Sequence, residues 1–381
     1  MASDSVFAIA GRRVLAREGF VPDHAVVVRD GRIEEMTPRA SLAPDIPVRA
    51  EADIVAPGFI DIQINGAADR LFNDDPSVAT IEAIASGARK GGTAHLLPTF
   101  ITASGEKRAQ AIAAAHEAIA AKSAGVLGIH LEGPFINSMK KGAHDARWMR
   151  GATLGDVEAL SSLPSGATLV TLAPECADAG VVKALSDAGV VVFAGHSDGA
   201  LADYRAAHND GLRGFTHLFN AMSQLMAREP GAVGAAFALD EAYTGVIADG
   251  LHVAPENLVL IARAKRHDRI ALVTDAMPTL AGEKDHFMLD GRRISLREGR
   301  LLDEAGVLAG AHLAMDEAVA NMIRFAGISL EDALRMASTN PAQAIDLGGE
   351  LGIIAPGYRA SLTLLGDDLK AQRVVVDGRL F

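Results

Sequence analysis

From residue 77 to residue 277 the chain alternates between helix patterns and short, nearly all-apolar runs. SVATIEAIASGARKGG leads to TAHLLPTF, EKRAQAIAAAHEAIAAKSAG to VLGIHLEGPF, and GDVEALSSL to ATLVTLAPE. AGVVKALSDAG then leads to VVVFAGHSD, ALADYRAAHNDG to RGFTHLFNA, and ENLVLIARAKRHD to RIALVTDAM. A strand that is apolar on both faces must be covered on both faces, the condition of a parallel sheet flanked by helices. With FIDIQING (59–66) as the first strand, there are about seven or eight βα units, the number that closes a (β/α)8 barrel.

The ends read differently. HAVVVRDGRIEEM places Asp-Gly between two β-rich runs, a hairpin signal. GYRASLTLL and QRVVVDGRLF repeat that character near the C-terminus. The expected fold is therefore α/β: a (β/α)8 TIM-type barrel over residues 58–355, with a small β-sandwich domain formed by residues 1–57 and 356–381. FMLDGRRISLREGRLL reads as a β segment inserted late in the barrel.

Charge narrows the possible partners. The chain has 36 Lys and Arg against 48 Asp and Glu, a net charge of −12, and no basic run. That argues against a nucleic-acid or anionic-membrane partner. The single cysteine, Cys176, excludes an intrachain disulfide, fits a reducing compartment and reads as a packed thiol. MASDSVFAIAGRRV lacks a basic start followed by a long apolar run, and no stretch has membrane-spanning length. The expectation is a cytoplasmic protein.

In barrels of this kind, chemistry sits at the carboxyl ends of the strands. GIHLEGP offers His130 and Glu132, FAGHSDG offers His196, FTHLFNAM offers His217 and Asn220, and ALVTDAM offers Asp275. Singly, each has an ordinary use: a strand-end His as a hydrogen-bonded cap, Glu132 as a turn acceptor, Asp275 as a helix N-cap. Together, Glu132, His196 and His217 make a three-ligand site for one divalent metal with a position left for water, and Asp275 is placed to take a proton. Such a donor set suits Zn²⁺, and Fe²⁺, Co²⁺ or Mn²⁺ can occupy similar sites. His144 follows in a polar loop, KKGAHDARWM. Arg228 and His252 are a pair of the kind that holds a phosphate. FIDIQING turns Ile60, Ile62 and Ile64 one way and Asp61, Gln63 and Asn65 the other.

PGFIDIQING, IHLEGPF with KKGAHD, TLAPE, AGHSDG, THLFNAM, DGLHV, VTDAM and LAGAHLAM, in this order, resemble the N-acetylglucosamine-6-phosphate deacetylases of the amidohydrolase superfamily. The resemblance runs from about residue 57 to the C-terminus. It implies removal of the acetyl group from N-acetyl-D-glucosamine 6-phosphate, giving D-glucosamine 6-phosphate and acetate. It assigns Glu132, His196 and His217 as metal ligands, Asp275 as general base and then acid, and His144 as the group that polarises the acetyl carbonyl. Ala143, Asn220, Ala221, Arg228 and His252 match substrate-binding positions. Leu308, Ala309 and Gly310 match a loop that closes over the sugar. The resemblance also implies a homodimer in which Arg228 or His252, or both, reach in from the neighbouring subunit.

Binuclear amidohydrolases of the dihydroorotase or hydantoinase kind carry His-x-His on the first strand and a modified Lys between two metals. Here Gln63-x-Asn65 stands in place of the histidines. Amides are weak ligands beside imidazole, so one tightly held metal is expected. Gln63 and Asn65 then support the site through hydrogen bonds, and Asp61 fixes the strand end. Two alternatives stay open: the galactosamine 6-phosphate epimer as substrate, and a non-catalytic sugar-phosphate-binding protein. NGAADRLFND departs from the Gly-rich sequence of many relatives, which puts the loop around Asp69 and Arg70 in question. His95 reads as structural.

Overall fold

A computed structural model describes residues 6–381. Eight parallel strands form one sheet, each paired with its sequence neighbours. They are β1 (Phe59–Ile64), β2 (Thr93–Ile101), β3 (Gly128–Glu132), β4 (Ala167–Leu172), β5 (Val191–Ala194), β6 (Leu212–Phe215), β7 (Tyr243–Val246) and β8 (Ile270–Leu272). Every residue of β1, β2 and β3 is buried, the polar Asp61, Gln63, His95, His130 and Glu132 included, as strands covered on both faces must be.

The ring closes between β1 and the segment after β8. Asp275 N donates to the Gln63 carbonyl and Asn65 N to the Ala276 carbonyl, each at 2.9 Å. Asp61 adds a side-chain seam, accepting from the hydroxyl and backbone N–H of Thr274 and from the Gln63 N–H. Burial pushes its carboxyl up to about 7 against the downward pull of those bonds. The first strand's polar face is thus a closure device at Asp61 and continues into the barrel mouth at Gln63 and Asn65.

Helices cover the outside. Ser77 caps Val78–Arg89 by accepting from Thr80 N, and Ser104 caps Gly105–Ala120 by accepting from Lys107 N. The unit that sequence alternation leaves unmarked is helix Gly231–Ala238 with β7. Six of the eight residues of GAVGAAFA are buried, so no polar face marks a helical period, and the four-residue strand YTGV contains a glycine.

Both chain ends build a second sheet. Its seven strands run in the order Arg379–Leu380, Ala371–Val376, Leu362–Leu365, Val48–Pro57, Phe7–Ala16, Gly19–Arg29, Arg32–Pro38. This sheet curls over a core that includes Phe7, Ile9, Val26, Val28, Leu362 and Val375. Its two ends meet closely: a Cβ on Gly31 would lie 2.9 Å from the Asp377 carbonyl. The Asp-Gly hairpins at 30–31, 290–291 and 377–378 each have positive φ at both positions, the type I′ geometry that matches strand twist.

The inserted β segment is a four-stranded antiparallel sheet: His286–Leu289, Arg292–Arg297, Arg300–Leu302 and Leu308–Ala311. Phe287, Leu289, Ile294 and Leu301 pack with Leu71, Ile101 and Met277, which seats the sheet beside the carboxyl ends of the barrel strands. Its last strand was not marked by the Asp-Gly pattern, yet carries Leu308 to Gly310. Among the described residues, no helix is long and apolar enough to cross a membrane.

Candidate active site

Glu132 ends β3, while His196, His217 and Asp275 follow the ends of β5, β6 and β8 by two or three residues. His196, His217 and Asp275 all have positive φ, at 50°, 32° and 49°. For residues with a Cβ this costs of order 1–3 kcal/mol each and persists where the surroundings enforce it. The left-handed turn departs from the strand path at the barrel mouth, where these side chains meet.

There they converge. Glu132 Oε1 lies 3.0 Å from His196 Nε2 and 3.1 Å from His217 Nε2, and the two Nε2 atoms are 3.0 Å apart. All three residues are buried and can together hold a metal ion. Hydrogen-bond bookkeeping agrees with a cation here. His196 Nδ1 is 2.8 Å from the Lys140 carbonyl, which can only accept. A neutral His196 with its proton on Nδ1 turns its Nε2 lone pair toward the Glu132 carboxylate, and a cation, or a proton shared with His217, holds these electron-rich atoms together. Burial raises the Glu132 carboxyl, but its contacts with His196 and His217 outweigh burial and hold it well below the usual carboxylate range.

Around this cluster the amides of β1 have partners. Gln63 Nε2 donates to both Glu132 oxygens at 3.3 Å. Asn65 Nδ2 donates to Asp275 Oδ1 at 2.6 Å. Burial raises the Asp275 carboxyl to about 6, with repulsion from Glu132 as the next cause. His144 is buried, with Nδ1 2.7 Å from Thr102 Oγ1 and its ring centroid 4.3 Å from that of His196. Burial first, and the neighbouring His196 second, keep His144 well below its ordinary pKa.

The cluster opens into a cavity of about 340 Å³. Of the residues singled out in the sequence, it is lined by Asn65, Glu132, Ala143, His144, His196, His217, Asn220, Ala221, His252, Asp275, Leu308 and Gly310. His252 is oriented by Asp249, whose Oδ2 lies 2.6 Å from its Nδ1. Three positions stand apart. Gln63 sits behind Glu132, Ala309 is buried in the core of the inserted sheet, and Arg228 is exposed on residues 223–229 and does not line its own chain's cavity. Arg228 and His252 are therefore not brought together in that cavity. Lys140 and Thr102 were missed. Lys140 lines the cavity and acts on His196 through a backbone carbonyl, for which no side-chain pattern gives a signal. Thr102 stands directly after β2, the same strand-end position that marks the other site residues, and its hydroxyl is the signal in the sequence.

The loop at Asp69 and Arg70 also has a place. Asp69 accepts from the backbone N–H groups of Glu283 and Lys284, tying that loop to the chain leading into the inserted sheet. His95 is buried against Ser361 at 2.7 Å, in the contact between β2 and the terminal sheet.

A parallel eight-stranded barrel with a buried Glu-His-His cluster and an acid at its mouth defines a metal-dependent hydrolase class, and residues 54–381 match the amidohydrolase family; the chain belongs to that family. Within it, similar proteins include amino-sugar-phosphate deacetylases. The chain is 36% identical to the N-acetylgalactosamine-6-phosphate deacetylase of Shewanella sp. (strain ANA-3), covering 99% of this chain and 96% of that one. It is 33% identical to the N-acetylglucosamine-6-phosphate deacetylase of Haemophilus influenzae, covering 94% of each. The crystal structure of the N-acetylglucosamine-6-phosphate deacetylase from Pasteurella multocida superposes with a TM-score of 0.94 at 32% identity, over 99% of both chains.

Proposed function

We propose that this enzyme hydrolyses the acetamide of N-acetyl-D-glucosamine 6-phosphate to D-glucosamine 6-phosphate and acetate. The observation that carries the reading is the convergence of Glu132, His196 and His217 within 3.1 Å of one another, with the half-buried Asp275 beside them at the barrel mouth. These three residues hold one divalent metal, with Zn²⁺ suiting the Glu-His-His set best and Fe²⁺, Co²⁺ or Mn²⁺ fitting similar sites. When bound, the metal supplies Lewis acidity to the acetyl carbonyl and to the attacking water.

The chain's own groups do the rest. Asp275, held by Asn65, accepts the proton of the attacking water and returns it to the departing amine, which is a poor leaving group until protonated. His144 donates a hydrogen bond to the acetyl oxygen, an interaction that strengthens as negative charge develops there. His252, Asn220 and Ala221 bind the phosphate end, Leu308 and Gly310 cover the sugar, and Ala143 borders it. The phosphate anchors the substrate away from the chemistry and orients the acetamide.

Arg228 completes the phosphate site from a second copy of the chain in a homodimer. Its exposure outside its own cavity, beside Leu225 and Met226 at 52% and 67% exposed, supports that arrangement. Arg228→Ala is expected to raise KM for the phosphorylated substrate roughly 10-fold or more, the scale of one charge-assisted contact. KM for unphosphorylated N-acetylglucosamine should change much less, and equal effects on both substrates would remove the phosphate role. The single Cys176, whose thiol burial pushes up to about 11, agrees with a cytoplasmic, reducing setting.

A second reading, the galactosamine 6-phosphate epimer as substrate, is favoured by the 36% identity to the Shewanella enzyme. Comparing kcat/KM on the two epimers tests the choice: a higher value on the glucosamine compound supports the first reading, and a higher value on the galactosamine compound replaces it.

A further inference from the structure

Thr102 follows β2 directly and is 2% exposed. We propose that Thr102 is a positioning residue, which fixes His144 as the tautomer with its proton on Nε2 and so makes His144 a hydrogen-bond donor toward the acetyl oxygen. The inference rests on the role given to His144 above and adds the device that makes that role possible.

The argument is an accounting of protons. Thr102 Oγ1 lies 2.7 Å from His144 Nδ1, and among the described residues its hydroxyl has no other hydrogen-bond partner. A hydroxyl has one proton to give, and a buried donor left without an acceptor is costly. If Thr102 accepted from an Nδ1–H, its own proton would be stranded. If it donates to Nδ1, both groups are satisfied, and the ring's remaining proton must sit on Nε2. The neighbouring nitrogen's partner thus selects the tautomer.

The surroundings hold this pair in register. Gly133, with φ of 80°, makes room for it: a Cβ there would lie 2.2 Å from Thr102 Oγ1 and 3.6 Å from His144 Nδ1. The His196 ring, 4.3 Å away centroid to centroid, limits rotation of His144 on another side. Arg292, on the inserted sheet, donates to the Ala143 carbonyl and so holds the backbone immediately before His144. The hydroxyl of Thr102 is the part of this frame that distinguishes one imidazole nitrogen from the other.

The test uses the metal-loaded enzyme, with Thr102→Val to remove the hydroxyl at nearly constant shape and Thr102→Ser to keep it. Thr102→Val is expected to lower kcat roughly 10–100-fold, the scale on which orienting partners of site residues act, with KM and metal content little changed. Thr102→Ser should recover most of kcat. In a His144→Gln background, Thr102→Val should add no further loss. Nitrogen-15 NMR of the zinc-loaded wild type should show His144 Nδ1 unprotonated and Nε2 protonated. A protonated Nδ1 in the wild type, equal losses in the Val and Ser variants, or an undiminished Val effect in the His144→Gln background would overturn the proposal. If His144→Gln by itself keeps full kcat, it is the role assigned to His144 that fails. If His144→Gln is inactive while Thr102→Val is harmless, only the role of Thr102 fails.

Discussion

Asp275→Asn is expected to bind the amino-sugar phosphate almost as the wild type does and to lose roughly 10²–10⁴-fold in kcat, the usual scale of a positioned general acid/base. The substitution is nearly isosteric. Asn65 Nδ2, 2.6 Å from Asp275 Oδ1, can still donate to the amide oxygen, so the geometry of the mouth has a reason to survive. What is lost is the capacity to take a proton and give it back. In the wild type, burial and the Glu132 charge raise this carboxyl to about 6, closer to neutrality than an exposed Asp and so better matched to a two-way proton transfer near pH 7. Titration calorimetry for binding and acetate release for turnover check the two halves separately. A variant with near-normal kcat would remove Asp275 from the acid/base role.

His217→Ala is expected to abolish both metal retention and turnover. Removing this ring leaves Glu132 and His196 as two of the three donors, and also deletes the contact that helps hold Glu132 ionised. The loss should exceed the roughly 10–100-fold typical when only a ligand's outer hydrogen-bond partner is removed. Chelating the metal from wild-type enzyme should reproduce the defect. Adding a divalent metal back should restore the wild type but not the variant. Elemental analysis of the dialysed variant checks the assignment, and a full metal complement with wild-type activity would contradict it.

Much of this arrangement was legible in the sequence because strand ends were legible. Glu132, His196, His217 and Asp275 each follow an apolar run and precede a turn, and the fold brings these positions together at one barrel mouth. The alternation in FIDIQING likewise anticipated a polar face on β1. The structure gives that face three separate jobs: Asp61 at the barrel seam, Gln63 on Glu132 and Asn65 on Asp275.

Other features left no pattern to read. β7 and its helix lacked polar contrast because nearly all of that helix is buried. The hold on His196 comes from a backbone carbonyl, which any residue at position 140 could provide. Ala309 matched a sugar-covering position, but strand alternation turns it into the core of the inserted sheet, between Leu308 and Gly310 at the cavity. Arg228 is exposed away from its own cavity, and sequence spacing cannot say which chain's substrate such a side chain serves.

The most direct test of the central claim is acetate release from N-acetyl-D-glucosamine 6-phosphate, with metal content measured on the same sample. The account predicts acetate and free amine in equal amounts, turnover that disappears as the metal is removed, and recovery when one divalent metal per chain is restored. Undiminished turnover after complete metal removal, or no acetate from this substrate or its galactosamine epimer at full metal occupancy, would contradict it.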